Sequence, residues 1–296
     1  MIYMKRGKAM LKWVDRLVTL FLIACGMVIV WIILQVTSFT TFHIPSASME
    51  PALLPCDNIL VNKWIMGARI FNIQDAIDKE PFKIFRLPGL GKIRRNDVLV
   101  FNYPYASHTD SIAMDVLLYY VKRCIALPGD ILEIKNGYYR IHGVEDDLGN
   151  VAAQKRISHL TETEPCGVMM RSFPWSEKIH WTIKNFGPLP VPAKGTRVLM
   201  DSTTAILYHR LISWEQKKKL LLKDDAVCLA DSAITEYAFQ ENYYFVSGDN
   251  MENSEDSRYW GLLPESYIVG KATLIWKSQD KASGEIRWNR VFKKIE

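Results

Sequence analysis

An uncharged apolar run near the N-terminus constrains this chain more than any other feature. Residues 17–36 read LVTLFLIACGMVIVWIILQV, twenty positions without a charge. As a helix rising about 1.5 Å per residue, they would cross a hydrocarbon core of about 30 Å. A cleaved secretory signal has an apolar region of only about 7–15 residues, followed by a small-residue cleavage site. We therefore expect an uncleaved transmembrane helix, in preference to a signal peptide or a buried core helix.

The charges that flank this run indicate its orientation. The first cation after it is Lys63, and five cations precede it: Lys5, Arg6, Lys8, Lys12 and Arg16. Because positive flanks remain on the cytoplasmic side, residues 1–16 are predicted to be cytoplasmic, and the chain after a single-pass anchor at 17–36 is predicted to lie outside. Residues 1–16 carry a net charge of +4 of the chain's +5. The net positive charge of the chain is therefore explained by its predicted membrane topology, and it gives no reason to expect a nucleic-acid partner.

Short β-type runs separated by turn signals dominate the remaining sequence. The clearest runs are 58–61, 97–102, 119–125, 131–134, 138–142, 243–246 and 272–276. Their spacing predicts a mainly β fold built on an antiparallel sheet or barrel. A single clear helix is predicted over residues 204–221 from the spacing of its apolar residues.

The polarity of the chain changes along the part after the anchor. Residues 131–242 are more polar and richer in loops than their neighbours, so we interpret them as an inserted α+β cap module. Residues 37–130 and 243–296 would then form one β domain. The five cysteines contain no CxxC pair, which disfavours a metal or redox site. Cys166 and Cys228 are a candidate disulfide pair outside the membrane, with their connectivity left open.

Common hydrolase signatures are absent, and three unusual segments remain. The sequence contains no GxSxG, HExxH or GxxxxGK[ST] motif. The segments are IPSASMEP at 44–51, YVKRCIALPGD at 120–130 and GDNMENSEDSRYWG at 248–261. Taken singly, they could be a rigid turn, a strand with a solvated edge lysine and a calcium loop without EF-hand spacing.

Together, in this order and behind an apolar anchor, the three segments resemble the serine, lysine and GDN boxes of the type I signal peptidases. The resemblance implies an endopeptidase that uses a Ser/Lys dyad to remove signal peptides from exported preproteins after small-x-small sites. It places the enzyme in the bacterial cytoplasmic (inner) membrane, with its catalytic domain on the periplasmic or extracellular side. It also implies preproteins and the lipid bilayer as partners, functional coupling to the secretion translocon, and no cofactor, metal or nucleic acid.

The resemblance assigns roles position by position. Ser48 would be the nucleophile and Lys122 the general base, while the Ser46 hydroxyl and the Ser48 backbone N–H would form the oxyanion hole. Ser254 would hydrogen-bond and orient Lys122. The other positions are three supporting residues and five substrate-binding residues: Gly248, Asp256 and Arg258; and Ile44, Met49, Leu53, Tyr120 and Val121.

The chemistry requires a neutral lysine amine, because only the neutral form can accept a serine proton. The pKa of Lys122 would have to fall from about 10.4 to roughly 7–8, which an apolar pocket can achieve by desolvation. Met251 and Glu252 replace the family's usual Arg-Asp, and Ala126 replaces a common glycine. Two rivals are a cytosolic self-cleaving Ser/Lys repressor, which the anchor disfavours, and an inactive envelope scaffold, which intact Ser48 and Lys122 disfavour.

Overall fold

The computed structural model of the chain describes residues 2–78, 84–105, 111–161, 167–223 and 226–296. The α-helices within these ranges are α1 Ile2–Thr37, α2 Ile73–Ile77, α3 Val151–His159, α4 Ser202–Gln216 and α5 Ser257–Trp260. Single 3-10 turns are formed by Met251–Asn253, Glu265–Tyr267 and Trp288–Arg290. The strands are β1 Phe39–His43, β2 Asp57–Asn62, β3 Arg69–Ile70, β4 Phe85–Arg86, β5 Val98–Asn102, β6 Tyr119–Ala126, β7 Ile131–Lys135, β8 Tyr138–Ile141, β9 Phe186–Pro190, β10 Arg197–Leu199, β11 Leu220–Lys223, β12 Ala226–Leu229, β13 Ser232–Ala233, β14 Glu236–Ala238, β15 Tyr243–Ser247, β16 Leu263–Pro264, β17 Ile268–Ser278 and β18 Lys293–Lys294.

One large antiparallel sheet organises the molecule. Its hydrogen-bonded order is β1-β2-β17-β5-β6-β15-β16, with β18 added beside β17. Strand β17 is long enough to pair with both β2 and β5, and register shifts along it mark bulges that bend the sheet. The predicted mainly β, antiparallel fold behind an apolar helix is confirmed. Each predicted β run falls on a strand: β2, β5, β6, β7, β8, β15 and β17.

Both faces of the central strand β5 are covered, as the continuous apolar run in its sequence suggests. Leu99 and Phe101 pack into a large apolar cluster on one face. Val98 and Val100, which alternate with them, pack into a small cluster on the other face. The small cluster is completed by residues of the segment that joins β1 to β2. The sheet therefore supports that segment from below.

Residues 131–242 form several small sheets around two helices. Their strand orders are β8-β7-β9, β10-β14 and β11-β12-β13. Leu132 and Leu189 from this range lie in the same apolar cluster as Ile125 and Phe245 of the large sheet. A continuous core therefore joins this range to the large sheet. The candidate disulfide partner Cys166 lies outside the described residues.

The helix predicted over residues 204–221 is shorter in the structure. Helix α4 begins after Asp201, whose carboxylate accepts a hydrogen bond from the Thr204 N–H in a reciprocal capping box. It ends at Gln216, because Lys217 adopts a left-handed conformation with φ 53°. The apolar residues that follow belong to β11, where Leu220 pairs with Leu229 of β12. The end of the helix was therefore predicted five residues too late.

The apolar N-terminal run is part of the longer helix α1. Its 26-residue stretch Lys12–Thr37 is long and apolar enough to cross a membrane, and the apolar window within it is not buried against the rest of the protein. Only Ser38 separates α1 from β1. Lys63, which follows β2, donates from Nζ to the carbonyl oxygens of Gln35 at 2.8 Å and Val36 at 3.3 Å. The end of β2 thus caps the C-terminus of α1.

Candidate active site

The segment between β1 and β2 carries two serines, Ser46 and Ser48. Ile44, Met49 and Leu53 in the same segment are 3%, 1% and 0% exposed and pack into the small apolar cluster beneath it. This burial fixes the backbone on either side of the serines. Ser48 is half-buried, Ser46 is exposed, and their hydroxyl oxygens lie 3.4 Å apart.

Lys122 approaches Ser48 from strand β6, where it is paired with Leu99 of β5. Its Nζ donates to Ser48 Oγ at 2.8 Å and to the carbonyl oxygen of Val121 at 3.1 Å. The Tyr120 ring lies 5.3 Å from the same nitrogen. Only 4% of Lys122 is exposed. The fold thus brings together a hydroxyl and an amine that are 74 positions apart in the sequence.

Burial lowers the pKa of Lys122 to about 8, from its usual value of 10.5. The carboxylates of Asp256, Glu255 and Asp249 act in the opposite direction, while Arg258 lowers the pKa further. Desolvation outweighs the attraction to the three carboxylates. With a pKa of about 8, roughly one-tenth of the amines are neutral at pH 7. The neutral fraction can accept a proton from the adjacent hydroxyl.

The third segment holds the backbone of Ser48 through Asn250 and Gly248. Asn250 donates from its backbone N–H to the Ser48 carbonyl at 3.0 Å and from Nδ2 to the Ala47 carbonyl at 3.2 Å. A Cβ on Gly248 would lie 2.5 Å from the Ser48 carbonyl oxygen and 2.1 Å from Ser254 Oγ. Only glycine fits there. The sequence argument predicted that Gly248 leaves space beside the lysine; the atoms nearest to such a Cβ belong to Ser254 and to the backbone of Ser48. The sequence argument did not single out Asn250.

Asp256 and Arg258 form an ion pair in which both side chains are fully buried. Arg258 donates from Nε to Oδ1 at 2.8 Å and from Nη2 to Oδ2 at 2.9 Å. Oδ2 also accepts from the Gly248 N–H at 2.9 Å and the Ser254 hydroxyl at 2.8 Å. Burial acts to raise the pKa of Asp256, but Arg258 and these hydrogen bonds lower it overall. The Ser254 hydroxyl thus donates to Asp256. The sequence predicted a hydrogen bond between Ser254 and Lys122, and none is present in the described part of the chain.

A second buried ion pair lies next to Lys122 and was not predicted. Arg123 binds Asp249 through Nε at 2.7 Å and Nη2 at 2.6 Å. Its Nη1 donates to the backbone carbonyls of Asn96 at 2.7 Å and Glu296 at 2.8 Å. The pair ties the lysine strand to the third segment. Both residues lie in the segments that the sequence analysis selected. The alternation of inward and outward side chains along a strand, however, does not identify a partner 126 positions away.

A cleft of about 330 Å³ opens beside the hydroxyl and the amine. Its lining residues are Ile44, Pro45, Ser46, Ser48, Met49, Tyr120, Val121, Lys122, Asn253 and Glu255. Four of the five predicted substrate-binding residues are among them. The fifth, Leu53, is fully buried in the small apolar cluster and supports the cleft indirectly. Asn253 and Glu255 were not predicted.

The arrangement can perform the chemistry of a serine hydrolase. A hydroxyl held against a buried amine with a lowered pKa can be deprotonated as it attacks a carbonyl. The surface of the cleft beside it is mostly apolar. Among the described residues, no group of three or more His, Cys, Asp or Glu side chains is arranged to hold a metal ion.

Comparison with known proteins identifies the family. Residues 11–277 match the sequence profile of the family described as signal peptidase, peptidase S26. The chain therefore belongs to this family of signal peptidases, as the three segments predicted. It is a serine peptidase that removes signal peptides from preproteins.

The sequences of two signal peptidases agree with this assignment. Signal peptidase I of Buchnera aphidicola subsp. Acyrthosiphon pisum is 31% identical over 263 residues, which cover 86% of this chain and 74% of that protein. Signal peptidase I of Aquifex aeolicus is 29% identical over 239 residues, which cover 80% of this chain and 75% of that protein. A solved structure of a signal peptidase I from Enterococcus faecalis aligns at 20% identity with a TM-score of 0.32, covering 62% of this chain and 100% of that one.

Proposed function

We propose that this signal peptidase is a membrane-anchored Ser/Lys endopeptidase with Ser48 as nucleophile and Lys122 as general base. The 2.8 Å contact between Lys122 Nζ and Ser48 Oγ is the observation that supports it most directly. The neutral amine accepts the hydroxyl proton while Oγ attacks the scissile carbonyl. The resulting ammonium then donates that proton to the leaving amine. The Lys122 amine, which is then neutral again, activates the water that hydrolyses the acyl-enzyme.

The oxyanion hole is proposed to consist of the Ser48 backbone N–H and the Ser46 hydroxyl. The Ser48 N–H makes no hydrogen bond to any described residue and remains available for a ligand. The Ser46 hydroxyl oxygen lies 3.4 Å from Ser48 Oγ. Two donors so close to the nucleophile can stabilise the charge that develops on the carbonyl oxygen. Loss of one such donor typically reduces turnover about 10²–10³-fold.

The supporting residues are proposed to act through position, without touching the substrate. Gly248 permits the third segment to pack against the backbone of Ser48. The Asp256–Arg258 pair fixes that segment and directs the Ser254 hydroxyl towards the carboxylate. Ser254 therefore influences Lys122 through Asp256, whose charge opposes the fall in the lysine pKa.

The size of the cleft suits cleavage after small-x-small sequences. Ile44, Met49, Tyr120 and Val121 give it apolar walls, and its volume is about 330 Å³. Small side chains such as alanine fit apolar pockets of this kind, whereas large ones would have to displace the walls. Leu53 helps to fix the shape of the cleft from within the core.

Helix α1 is proposed to anchor the enzyme in the cytoplasmic (inner) membrane as a single span. The five cations before the apolar run support a cytoplasmic position for residues 1–16 and a periplasmic or extracellular position for the sheet. We further propose residues 37–130 plus 243–296 as the catalytic domain and residues 131–242 as an inserted cap. Preproteins reach that side by crossing the membrane, so functional coupling to the secretion translocon follows.

The test uses the detergent-solubilised full chain and a preprotein with a small-x-small site. Wild type should cut once after that site, as located by mass spectrometry. Ser48→Ala and Lys122→Ala should each abolish cleavage, and Ser46→Ala should slow it about 10²–10³-fold. Lys178→Met, which changes an exposed lysine, should cleave normally. Retained cleavage by either dyad variant would refute the proposed roles.

A further inference from the structure

An acidic side chain, Glu255, is held at the wall of the substrate cleft. Its Oε1 accepts a hydrogen bond from the Tyr103 hydroxyl at 3.0 Å. Tyr103 stacks on Tyr120 with ring centroids 4.5 Å apart and an interplanar angle of 15°. Burial, followed by Glu255 itself, raises the pKa of both tyrosines, so both remain protonated donors. The stacked rings thus hold the carboxylate beside the cleft.

The charge of Glu255 is not compensated by an ion pair. It forms no ion pair with any described residue, and it is exposed to solvent. The other two carboxylates near Lys122 differ in this respect, because Asp256 is paired with Arg258 and Asp249 with Arg123. Their charges are compensated within the protein, whereas that of Glu255 faces the substrate.

In its reactive form, with Lys122 neutral, the cleft therefore has a net negative charge. Of its lining residues, Lys122 and Glu255 are the two that can be charged near neutral pH. In the proposed mechanism Lys122 is neutral when the substrate is attacked. At that stage the negative charge of Glu255 is the remaining charge among the residues that line the cleft.

We propose that Glu255 is a specificity-determining residue that favours a basic side chain near the scissile bond and disfavours an acidic one. This inference rests on the proposed Ser/Lys function. Two unit charges about 4 Å apart in water change a binding constant about fivefold. A lysine in the substrate should therefore be preferred over glutamine about fivefold, and glutamine over aspartate by a similar factor.

Glu255 also contributes to the proton affinity of the general base. After desolvation, the groups that act on the pKa of Lys122 are Asp256 and Glu255, which raise it, Arg258, which lowers it, and Asp249, which raises it. Glu255→Gln keeps an acceptor for the Tyr103 hydroxyl and removes one of the charges that raise this pKa. The acidic limb of the activity profile should then move to lower pH, which a purely structural role for Glu255 would not produce.

The experiment compares peptides that differ at one position near a small-x-small site. Lys, Gln or Asp is placed in turn at each flanking position, and kcat/KM is measured for detergent-solubilised wild type and Glu255→Gln. Glu252→Gln is the matched control, because Glu252 lies in the same segment but pairs with Arg156 at 2.6 Å and does not line the cleft. At one or more positions, kcat/KM of wild type and of the control should fall about fivefold from Lys to Gln and again from Gln to Asp. Glu255→Gln should not show these differences.

Each other outcome has a defined meaning. Equal cleavage of the Lys, Gln and Asp peptides by wild type, or an unchanged preference in Glu255→Gln, would overturn the inference. Failure of wild type to cut even the Gln peptides would instead count against the proposed function. If Glu255→Gln does not fold, salt provides a second measurement on wild type. Raising ionic strength from about 0.05 to 0.5 M should shrink the Lys-over-Asp preference, and an unchanged ratio would refute the proposal.

Discussion

Replacing Lys122 by methionine should abolish cleavage and, at the same time, remove a destabilising charge from the fold. Burial lowers the folded-state pKa to about 8, against about 10.5 in the unfolded chain. Between these values the unfolded chain binds the proton that the folded protein has released, so the free energy of unfolding rises with pH across this window. The difference of about 2.5 units corresponds to about 3 kcal/mol at 1.36 kcal/mol per unit. Most of it falls between pH 7 and pH 10.

Denaturant unfolding followed by tryptophan fluorescence can measure this contribution in detergent at pH 7 and pH 10. The free energy of unfolding of wild type minus that of Lys122→Met should rise by about 2–3 kcal/mol over this interval, since the other titrating groups cancel in the difference. Lys178→Met, which replaces an exposed lysine, is the control. The free energy of unfolding of wild type minus that of Lys178→Met should be the same at pH 7 and pH 10. A wild-type minus Lys122→Met value that does not depend on pH would refute the role of burial.

Three further substitutions test how the site is held. Gly248→Ala places a Cβ 2.5 Å from the Ser48 carbonyl oxygen and should displace the nucleophile by about 1 Å, lowering kcat/KM about 100-fold in the preprotein assay. Asp256→Asn leaves the buried Arg258 without its counter-ion and should cost about 3–5 kcal/mol of stability in denaturant unfolding. Lys63→Met removes the cap on α1 and should slow cleavage of a bilayer-inserted preprotein more than that of a soluble peptide, with Lys63→Arg restoring the ratio.

Matched controls separate these effects from general destabilisation. Gly270→Ala creates a similar backbone clash, 2.4 Å from the Asn62 carbonyl oxygen on β2, but away from the nucleophile. It should lower stability without lowering kcat/KM per folded molecule, and an equal loss of activity in both glycine variants would contradict the positional argument. Asp231→Asn removes an exposed carboxylate and should cost little. Equal rates of Lys63→Met and wild type on both substrates would contradict the role given to the α1 cap.

The sequence predicted seven of the strands because each of these seven is a short apolar run bounded by turn residues. It could not predict the end of α4, since the apolar residues after the lysine run fit a helix face and a strand equally well. Strand pairing with β12 decides the outcome at Leu220, and that pairing depends on residues of another strand.

The candidate site was predictable in composition and less so in connectivity. Ser48 and Lys122 lie together as the motifs suggested. The partner of Ser254 and the pairing of Arg123 with Asp249 are contacts between side chains on different elements, which no local pattern encodes. Leu53 shares the apolar character of the cleft residues, and only burial assigns it to the core.

The single residue between α1 and β1, together with the Lys63 cap, determines how the enzyme meets its substrate in the proposed arrangement. Anchor and sheet must tilt and diffuse as one body, because no flexible linker separates them. A preprotein in the same bilayer then encounters the cleft by diffusion in a plane, with much of the orientational entropy of association already lost. The cleft can therefore act only within a narrow range of heights above the lipid. A peptide bond that a preprotein presents at another height stays uncut, even when the sequence around that bond is suitable.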